Sequence, residues 1–267
     1  MGVMAEDVTI GCIGYGNMAQ GVAQGLVDQG VVDGGRIVAC AVHPDKLRES
    51  TARIGARALA NAEEVVAAAD VVVVAVKPTV VASAIDGVES ALSDPDRMVV
   101  SIVSGWRLDD YRKVLGADAH VQCAIPNTPI AVGQGVLISE TANTLTDAQS
   151  GLFERLFSPV ALIERVDSDH LDVATVLAGC APAFAEMFLE ALADGGVEFG
   201  LPRATSYRLA AKMMEGTGAL HIATGQHPGA MKDAVCSPGG TTIRGVSALG
   251  KAGFRGAIIS AVEAIQG

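Results

Sequence analysis

The sequence has few basic residues and few aromatic ones. It carries 19 lysines and arginines against 30 aspartates and glutamates, which gives a formal net charge of -11, and only 4% of its residues are aromatic. Nucleic-acid-binding proteins usually present a basic face, so we expect no nucleic-acid partner. An acidic, solvated surface is instead typical of a protein that stays in solution.

Cysteine is also scarce, and no two cysteines form a C-x-x-C pair. The five are Cys12, Cys40, Cys123, Cys180 and Cys236. An odd number without pair spacing is typical of reduced thiols, so we expect a cytoplasmic protein. No histidines, cysteines and carboxylates stand at ligand spacing, and we therefore expect no metal site.

Long uninterrupted apolar runs are missing as well. The run at residues 71–76 has only the length of a strand, and the first residues lack a basic segment followed by an apolar one. We therefore expect neither a membrane span nor a signal peptide. Half of the 267 residues are hydrophobic, which is enough for one large domain or two modest ones.

The first part of the chain alternates strand-like and helix-like patterns. Strands are predicted at residues 8–14, 36–42, 71–76, 98–103, 120–124 and 161–166, and helical patterns lie between them. This βαβ rhythm predicts an α/β fold with a Rossmann-type, doubly wound parallel sheet covered on both faces. We assign residues 1–166 to this dinucleotide-binding domain.

After residue 166 the pattern becomes helical only. A long helix should run to Gly200, and Pro182 inside it should kink it. A second helix should begin after Gly200-Leu201-Pro202, and shorter helices are predicted at 229–235 and 242–248. We assign residues 167–267 to a second, all-helical domain.

A glycine-rich turn follows the first predicted strand and opens a helix. It reads Gly14-x-Gly16-x-x-Ala19. Gly14 permits a tight turn, Gly16 lets the backbone approach a pyrophosphate, and the helix N-terminus favours negative charge. This turn predicts a dinucleotide site formed by Gly14, Tyr15, Gly16, Asn17, Met18 and Ala19.

The end of the second strand bears on the choice between NADPH and NADH. An acidic residue there would bind the ribose hydroxyls of NADH, but the chain has Val42 and His43, followed by Lys46. This favours NADPH, with His43 or Lys46 near the 2′-phosphate. The alternative is that both are ordinary surface residues at a helix start.

Three further loops follow predicted strands and should lie at the same edge of the sheet. The first comprises Ala75, Val76, Lys77 and Pro78, the second, at residues 103–106, ends at Trp106, and the third contains Asn127 between two prolines. We expect the first loop to line the cofactor site and Asn127 to hydrogen-bond a nicotinamide amide or the substrate. Alternatively, these residues serve turn geometry alone.

The stretch VCSPGGTTI at residues 235–243 is either a plain turn or an anion-binding loop. Pro238 stiffens the approach, and Gly239 and Gly240 expose backbone amides. A threonine is expected to cap the following helix, whose N-terminus prefers an anion.

Several motifs together resemble one family. They are GNMA, AVKP and PNTP in the first half, and residues 191–204 and 227–264 in the second. The chain resembles the pyrroline-5-carboxylate reductases over nearly its whole length. The resemblance implies hydride transfer from NADPH or NADH to the C=N bond of 1-pyrroline-5-carboxylate, which yields L-proline. It also implies a homodimer, or an assembly of dimers, formed through the helical domain.

The resemblance also assigns roles within the 235–243 loop. It implies that the substrate carboxylate is held by Ser237, Gly239, Gly240, Thr241 and Thr242. Thr242 is the candidate catalytic residue for the ring nitrogen, although protonation from solvent is an equal alternative. Asn127 and the loop at 75–78 would line the nicotinamide.

The chain departs from the family in a cluster of positions. Members usually carry Ser-Gly-Ser-Gly-Pro-Ala-Tyr on the long helix, where this chain has AGCAPAF at residues 178–184. Cys123, Ile125 and Gly250 replace the usual arginine, methionine and glutamate. These changes are either drift within a proline enzyme or signs of a different cyclic imine substrate. A non-catalytic NADP-binding regulator is the third possibility.

Overall fold

The computed structural model describes residues 7–267. By its internal contacts the chain divides after Gly179 into an N-terminal unit and a C-terminal unit, Cys180–Gly267. Residues 167–179 make their contacts with the N-terminal unit. The Ser168 hydroxyl donates to Glu140 Oε1 at 2.6 Å, and Arg107 Nη2 lies 3.0 Å from Asp172 Oδ2. The functional limits 1–166 and 167–267 remain a prediction.

The N-terminal unit is built on one eight-stranded sheet. Its order is β3-β2-β1-β4-β5-β6-β7-β8. The strands are β1 (Ile10–Ile13), β2 (Ile37–Cys40), β3 (Arg57–Ala58), β4 (Val71–Val74), β5 (Met98–Ser101), β6 (Val121–Pro126), β7 (Gly135–Glu140) and β8 (Ala161–Val166).

The six strands from β3 to β6 in the sheet order are parallel, as the Rossmann-type prediction requires. The prediction missed β3 and β7, and it was wrong to make the whole sheet parallel. Strand β7 runs antiparallel to β6, and β8 runs parallel to β7. Strand β3 has only two residues, and β7 begins at a glycine, Gly135, two residues after Gly133, which weakens its strand pattern.

Helices cover both faces of the sheet. They are α1 (Asn17–Asp28), α2 (Pro44–Ala52), α3 (Ala62–Ala68), α4 (Val81–Ile85), α5 (Glu89–Leu92), α6 (Leu108–Leu115), α7 (Asp147–Phe157) and α8 (Leu171–Thr175). One core contains Leu26 and Phe153, and the core on the other side contains Leu92 and Tyr111. This two-sided burial explains why β4 consists of four valines, and it confirms the doubly wound fold.

Helix α1 is fixed by an unusually close approach to the turn after β6. A Cβ atom on Gly25 would lie 2.1 Å from the carbonyl oxygen of Ile130, so only glycine fits there. Ile130 itself is fully buried. This contact joins the first helix of the fold to the turn Thr128–Val132, which follows Asn127.

The long helix predicted after residue 167 is interrupted. After α8 comes a π-helical turn, Val176–Cys180, and then α9, Ala181–Glu198. The expected distortion by Pro182 therefore appears as a widened turn just before the proline. π turns are rare, and both prolines and π turns are sites at which helices are distorted.

The C-terminal unit is helical throughout its described length. After α9 come α10 (Arg203–Thr224), α11 (Pro228–Ala234), α12 (Thr241–Lys251) and α13 (Phe254–Gln266). Sequence reasoning did not predict α13. Helices α9 and α10 pack closely at Gly196, where a Cβ atom would lie 2.6 Å from Ser206 Oγ.

Large apolar side chains of this unit remain exposed. Phe199 is 88% exposed, Ile222 74% and Met187 70%. The stretch Ser168–Glu198 is long and apolar enough, by length and composition, to cross a membrane, and only 11% of its most apolar window is buried. Sequence reasoning did not identify this stretch, because charged residues interrupt the apolar run. Exposed apolar surfaces of this kind mark sites of interaction with another protein or with a membrane.

Candidate active site

A cavity of about 790 Å³ opens at the carboxyl ends of β1, β2 and β4. This edge of a doubly wound sheet is where ligands bind in such folds. The cavity brings together nine of the predicted cofactor residues: Gly14, Tyr15, Gly16, Asn17, His43, Lys46, Ala75, Val76 and Lys77. The remaining four, Met18, Ala19, Pro78 and Asn127, are not in its lining.

Gly14 and Gly16 have different local reasons to be glycine. Gly14 has a φ of +89°, and a Cβ atom there would lie 2.6 Å from the carbonyl oxygen of Ala75. It therefore permits the close approach of the β1 and β4 ends. A Cβ atom on Gly16 would meet no other atom within 4 Å, and the space around this glycine belongs to the cavity.

The N-terminus of α1 points its unpaired backbone N–H groups into this region. Gly16 caps the helix without a side-chain hydrogen bond, and no acidic residue lies in the first turn. The first N–H groups of a helix have no acceptor within the helix, and the helix dipole favours an anion there. The turn itself is braced by Gln20, whose Nε2 donates to the carbonyl oxygen of Tyr15 at 2.9 Å.

The charge of the cavity opposes that of the whole chain. No aspartate or glutamate is among its lining residues, whereas His43, Lys46 and Lys77 are. The acidic residue nearest to His43 in the sequence is Asp45. Its carboxylate forms a surface ion pair with Arg48 on α2. The end of β2 therefore lacks the carboxylate that would bind ribose hydroxyls and repel a 2′-phosphate.

Two thiols and a phenol at the cavity are held neutral: Cys40 and Tyr15 line it, and the buried Cys12 does not. Burial, together with the neighbouring Cys40, raises the pKa of the Cys12 thiol to about 12. Burial also raises the pKa of Cys40 and of Tyr15. The three groups therefore stay uncharged at neutral pH, and the two thiols are not nucleophiles there.

The loop after β4 is fixed from outside the cavity. Trp106 Nε1 donates to the carbonyl oxygen of Pro78 at 3.0 Å, and its ring packs edge-on against Tyr111 with centroids 5.1 Å apart. Pro78 therefore supports the loop instead of lining the cavity. The sequence placed Trp106 at the same sheet edge but gave no sign of this hydrogen bond.

The structure adds three polar cavity residues that sequence reasoning missed, namely Gln20, Ser50 and Asn61. Asn61 caps α3 by accepting from the Glu64 N–H at 2.9 Å. An Asn followed three residues later by Glu is a helix-start signal, and helix starts at this sheet edge face the ligand. That signal could have identified Asn61.

The 235–243 loop contains a tight turn in the C-terminal unit. The Gly240 N–H donates to the Ser237 carbonyl oxygen at 3.0 Å, and Gly239 has a φ of +68°. Proline followed by glycine at the two central positions gives a type II turn. The expectation that a threonine caps α12 was wrong, because Gly240 is the cap and Thr241 the first helical residue.

This arrangement leaves the start of α12 open. Thr241 and Thr242 are exposed, no acidic residue lies in the first turn, and the cap uses no side chain. The first N–H groups of α12 are therefore available to an anion. The five predicted residues of the substrate loop lie close together in sequence around this helix start.

Comparisons with known proteins identify the family. A family model described as pyrroline-5-carboxylate reductase dimerisation matches residues 168–267, and one described as NADP oxidoreductase coenzyme F420-dependent matches residues 9–105. The pyrroline-5-carboxylate reductase of Treponema pallidum is 39% identical, over 96% of this chain and 98% of that protein. The chain belongs to the pyrroline-5-carboxylate reductase family.

Other pyrroline-5-carboxylate reductases match over a similar length. The protein of Escherichia coli is 38% identical over 95% of this chain and 94% of its own. The crystal structure of the Plasmodium falciparum pyrroline carboxylate reductase with NADP bound superposes with a TM-score of 0.85, at 26% identity, over 97% of this chain and 96% of that one. The fold and the family resemblance, as predicted from the sequence, are confirmed.

Two of the cysteines stand at positions where this chain departs from the usual pyrroline-5-carboxylate reductase pattern. Cys123 lies buried in β6, and burial together with the nearby Glu140 carboxylate raises the pKa of its thiol. Cys180 is half-buried and ends the π turn. Cys123 is therefore a packing residue in a sheet interior, not a charged group at the cavity.

Proposed function

We propose that this chain reduces 1-pyrroline-5-carboxylate to L-proline with a hydride from NADPH. The near-full-length match to pyrroline-5-carboxylate reductases carries this proposal. The acid-free cavity beside a glycine turn supports the cofactor assignment, because it fits a dinucleotide in both shape and charge.

We assign different parts of NADPH to different residues around the cavity. We assign the pyrophosphate to the backbone from Gly14 to Ala19, with Met18 and Ala19 contributing N–H groups of the helix start. The 2′-phosphate is assigned to Lys46 and His43, and NADH is the weaker alternative. The loop from Ala75 to Pro78 is assigned to the nicotinamide end.

The substrate carboxylate is assigned to the start of α12. The type II turn, which the Gly240 N–H closes by donating to the Ser237 oxygen, presents the N–H groups of Thr241 and Thr242, which have no acceptor within the helix. A carboxylate there gains both hydrogen bonds and the favourable helix dipole.

The reduction requires few catalytic side chains. NADPH, when bound, supplies the hydride that the imine carbon accepts. The chain's own task is to hold the imine in a reactive position and to exclude water from it. Reduction of the C=N bond also adds one proton to the ring nitrogen, which water supplies directly or through the Thr242 hydroxyl. We assign this hydroxyl to a hydrogen bond with the ring nitrogen, which orients the imine.

The exposed apolar surface of the helical unit belongs to subunit assembly. The dimerisation model matches residues 168–267, which contain Met187, Phe199 and Ile222. A second copy covering these side chains makes the protein a homodimer or an assembly of dimers, and this explains the apolar stretch without a lipid. We propose a cytoplasmic location, which agrees with five free cysteines among the described residues.

A substrate panel tests the proposal. Purified protein is mixed with NADPH or NADH and with 1-pyrroline-5-carboxylate, and cofactor oxidation and proline formation are both measured. Oxidation that requires the imine and yields proline is the expected result. Cofactor binding without turnover of this imine would refute the reaction.

The panel also includes a six-membered cyclic imine acid and an uncharged cyclic imine. The altered AGCAPAF segment is the observation that motivates this comparison. A higher kcat/KM for the six-membered acid would redirect the proposal to a different cyclic imine acid. Turnover of any imine excludes a purely regulatory role.

A further inference from the structure

The proline in the long helix removes one backbone donor. In an α-helix the N–H of residue 182 would donate to the carbonyl oxygen of residue 178, four positions earlier. Pro182 has no N–H, so the Ala178 oxygen lacks its regular partner. The π turn Val176–Cys180 lies at this point.

Asn127 supplies a donor to that oxygen. Its Nδ2 lies 2.9 Å from the carbonyl oxygen of Ala178. Asn127 is 51 residues away in sequence and only 7% exposed. A buried amide that meets a carbonyl left without its helical donor removes most of the penalty of that orphaned group.

The other groups of Asn127 are also engaged. Its Oδ1 accepts from the Val136 N–H at 2.8 Å, and its own N–H donates to the Val136 oxygen at 3.1 Å. Its carbonyl oxygen accepts from the Ile130 N–H at 3.2 Å. The side chain is therefore locked between the start of β7 and the π turn, outside the cavity lining.

We propose that Asn127 is a positioning residue that holds the π turn Val176–Cys180 in the shape that turnover requires. This rests on the proposed function, since the turn leads into AGCAPAF, the segment in which this chain departs from its family. The role differs from the nicotinamide contact predicted from the sequence. A nicotinamide contact would affect the cofactor KM, whereas a positioning role acts on imine turnover.

The substitution Asn127→Asp tests the hydrogen bond to the Ala178 oxygen separately from the one that the Val136 N–H donates. A carboxylate keeps an acceptor for the Val136 N–H but places an acceptor against the Ala178 oxygen. We expect kcat/KM for the imine to fall on the order of ten- to a hundredfold, with the KM for NADPH within about twofold of the wild type.

Asn143→Asp is the matched control. Asn143 also donates to a backbone oxygen, that of Thr141, and accepts from a backbone N–H, that of Leu145, each at 3.1 Å. It lies in the loop after β7 and not in the cavity lining. Its kcat/KM should stay within about twofold of the wild type.

Pro182→Ala provides the rescue. It restores an N–H at residue 182, so the Ala178 oxygen regains a helical donor. The loss caused by Asn127→Asp should therefore be at least about fivefold smaller in the Pro182→Ala background than in the wild type. Asn127→Ala, which adds no charge, should show the same dependence on the background.

Three results would overturn the positioning role. They are a raised KM for NADPH with unchanged imine parameters, an unchanged rate in Asn127→Asp, or a loss of activity or folding equally large in both backgrounds. Turnover by the wild type tests the proposed function, and the pattern among the variants tests Asn127. The two proposals can therefore fail separately.

Discussion

Replacing each glycine of the cofactor turn by alanine should separate folding from cofactor binding. At Gly14 a methyl group would lie 2.6 Å from the Ala75 carbonyl oxygen and 2.7 Å from Val76 Cγ1, on a backbone with a φ of +89°. At Gly16 the same methyl group meets nothing within 4 Å, and φ is -75°. Gly14→Ala should therefore destabilise the fold, whereas the methyl group of Gly16→Ala enters only the space of the cavity.

The magnitudes follow from these contacts. A side chain at positive φ costs about 1–2 kcal/mol, and forcing a methyl group against fixed backbone costs about 1–3 kcal/mol. Gly14→Ala should therefore lower the free energy of unfolding by about 2–5 kcal/mol. Gly16→Ala should lower it by no more than about 1 kcal/mol, the scale of a changed helix cap, while weakening NADPH binding about tenfold or more.

Two measurements on the same samples test this pair. Urea denaturation gives the free energy of unfolding, and quenching of Trp106, the single tryptophan, gives the affinity for NADPH. If Gly14→Ala had the free energy of unfolding of the wild type, the ends of β1 and β4 could move apart at no cost, which would contradict the predicted clash. Wild-type NADPH affinity in Gly16→Ala would place the pyrophosphate elsewhere.

Three further predictions concern the substrate loop, the 2′-phosphate and a buried thiol. Thr242→Ala should lower kcat about tenfold or more with the KM for NADPH unchanged, while Thr242→Ser keeps most of the rate; equal rates in steady-state assays would remove Thr242 from the mechanism. Lys46→Ala should raise the KM for NADPH about tenfold and leave that for NADH unchanged, and a parallel rise for both would argue against a 2′-phosphate contact. The Cys12 pKa is about 12 in the folded protein against 9.0 ordinarily, so only the unfolded thiol ionises as pH rises above 9. Stability should therefore fall between pH 9 and 12, and urea denaturation should give a shallower fall for Cys12→Ala; identical slopes would contradict the burial argument.

The sequence allowed most of the parallel sheet and the glycine turn between β1 and α1 to be predicted, because both depend on local signals. Valine-rich runs mark buried strands, and Gly14-x-Gly16 after such a run marks a phosphate turn. The predictions failed where the local signal was weak or contradictory. Strand β3 is two residues long, and the Ser237–Gly240 turn moved the cap of α12 from a threonine to Gly240.

The position of Asn127 shows a second kind of limit. The expected loop around Asn127 is present as the turn Thr128–Val132, but the partner of the Asn127 side chain, the Ala178 oxygen, is 51 residues away. Pairings over such distances depend on how the helix breaks at Pro182, and no local pattern encodes that. The Trp106 bond to Pro78 escaped prediction for the same reason.

The exposed apolar side chains of the C-terminal helices have a consequence for how the protein becomes stable. Met187, Phe199 and Ile222 are each at least 70% exposed in a single chain, so a lone subunit holds little of the apolar burial that its helices need. Burial is then completed by a second molecule, and the free energy of unfolding comes to depend on protein concentration. Newly made chains must meet before they are fully stable, and dilution alone is enough to weaken the helical half.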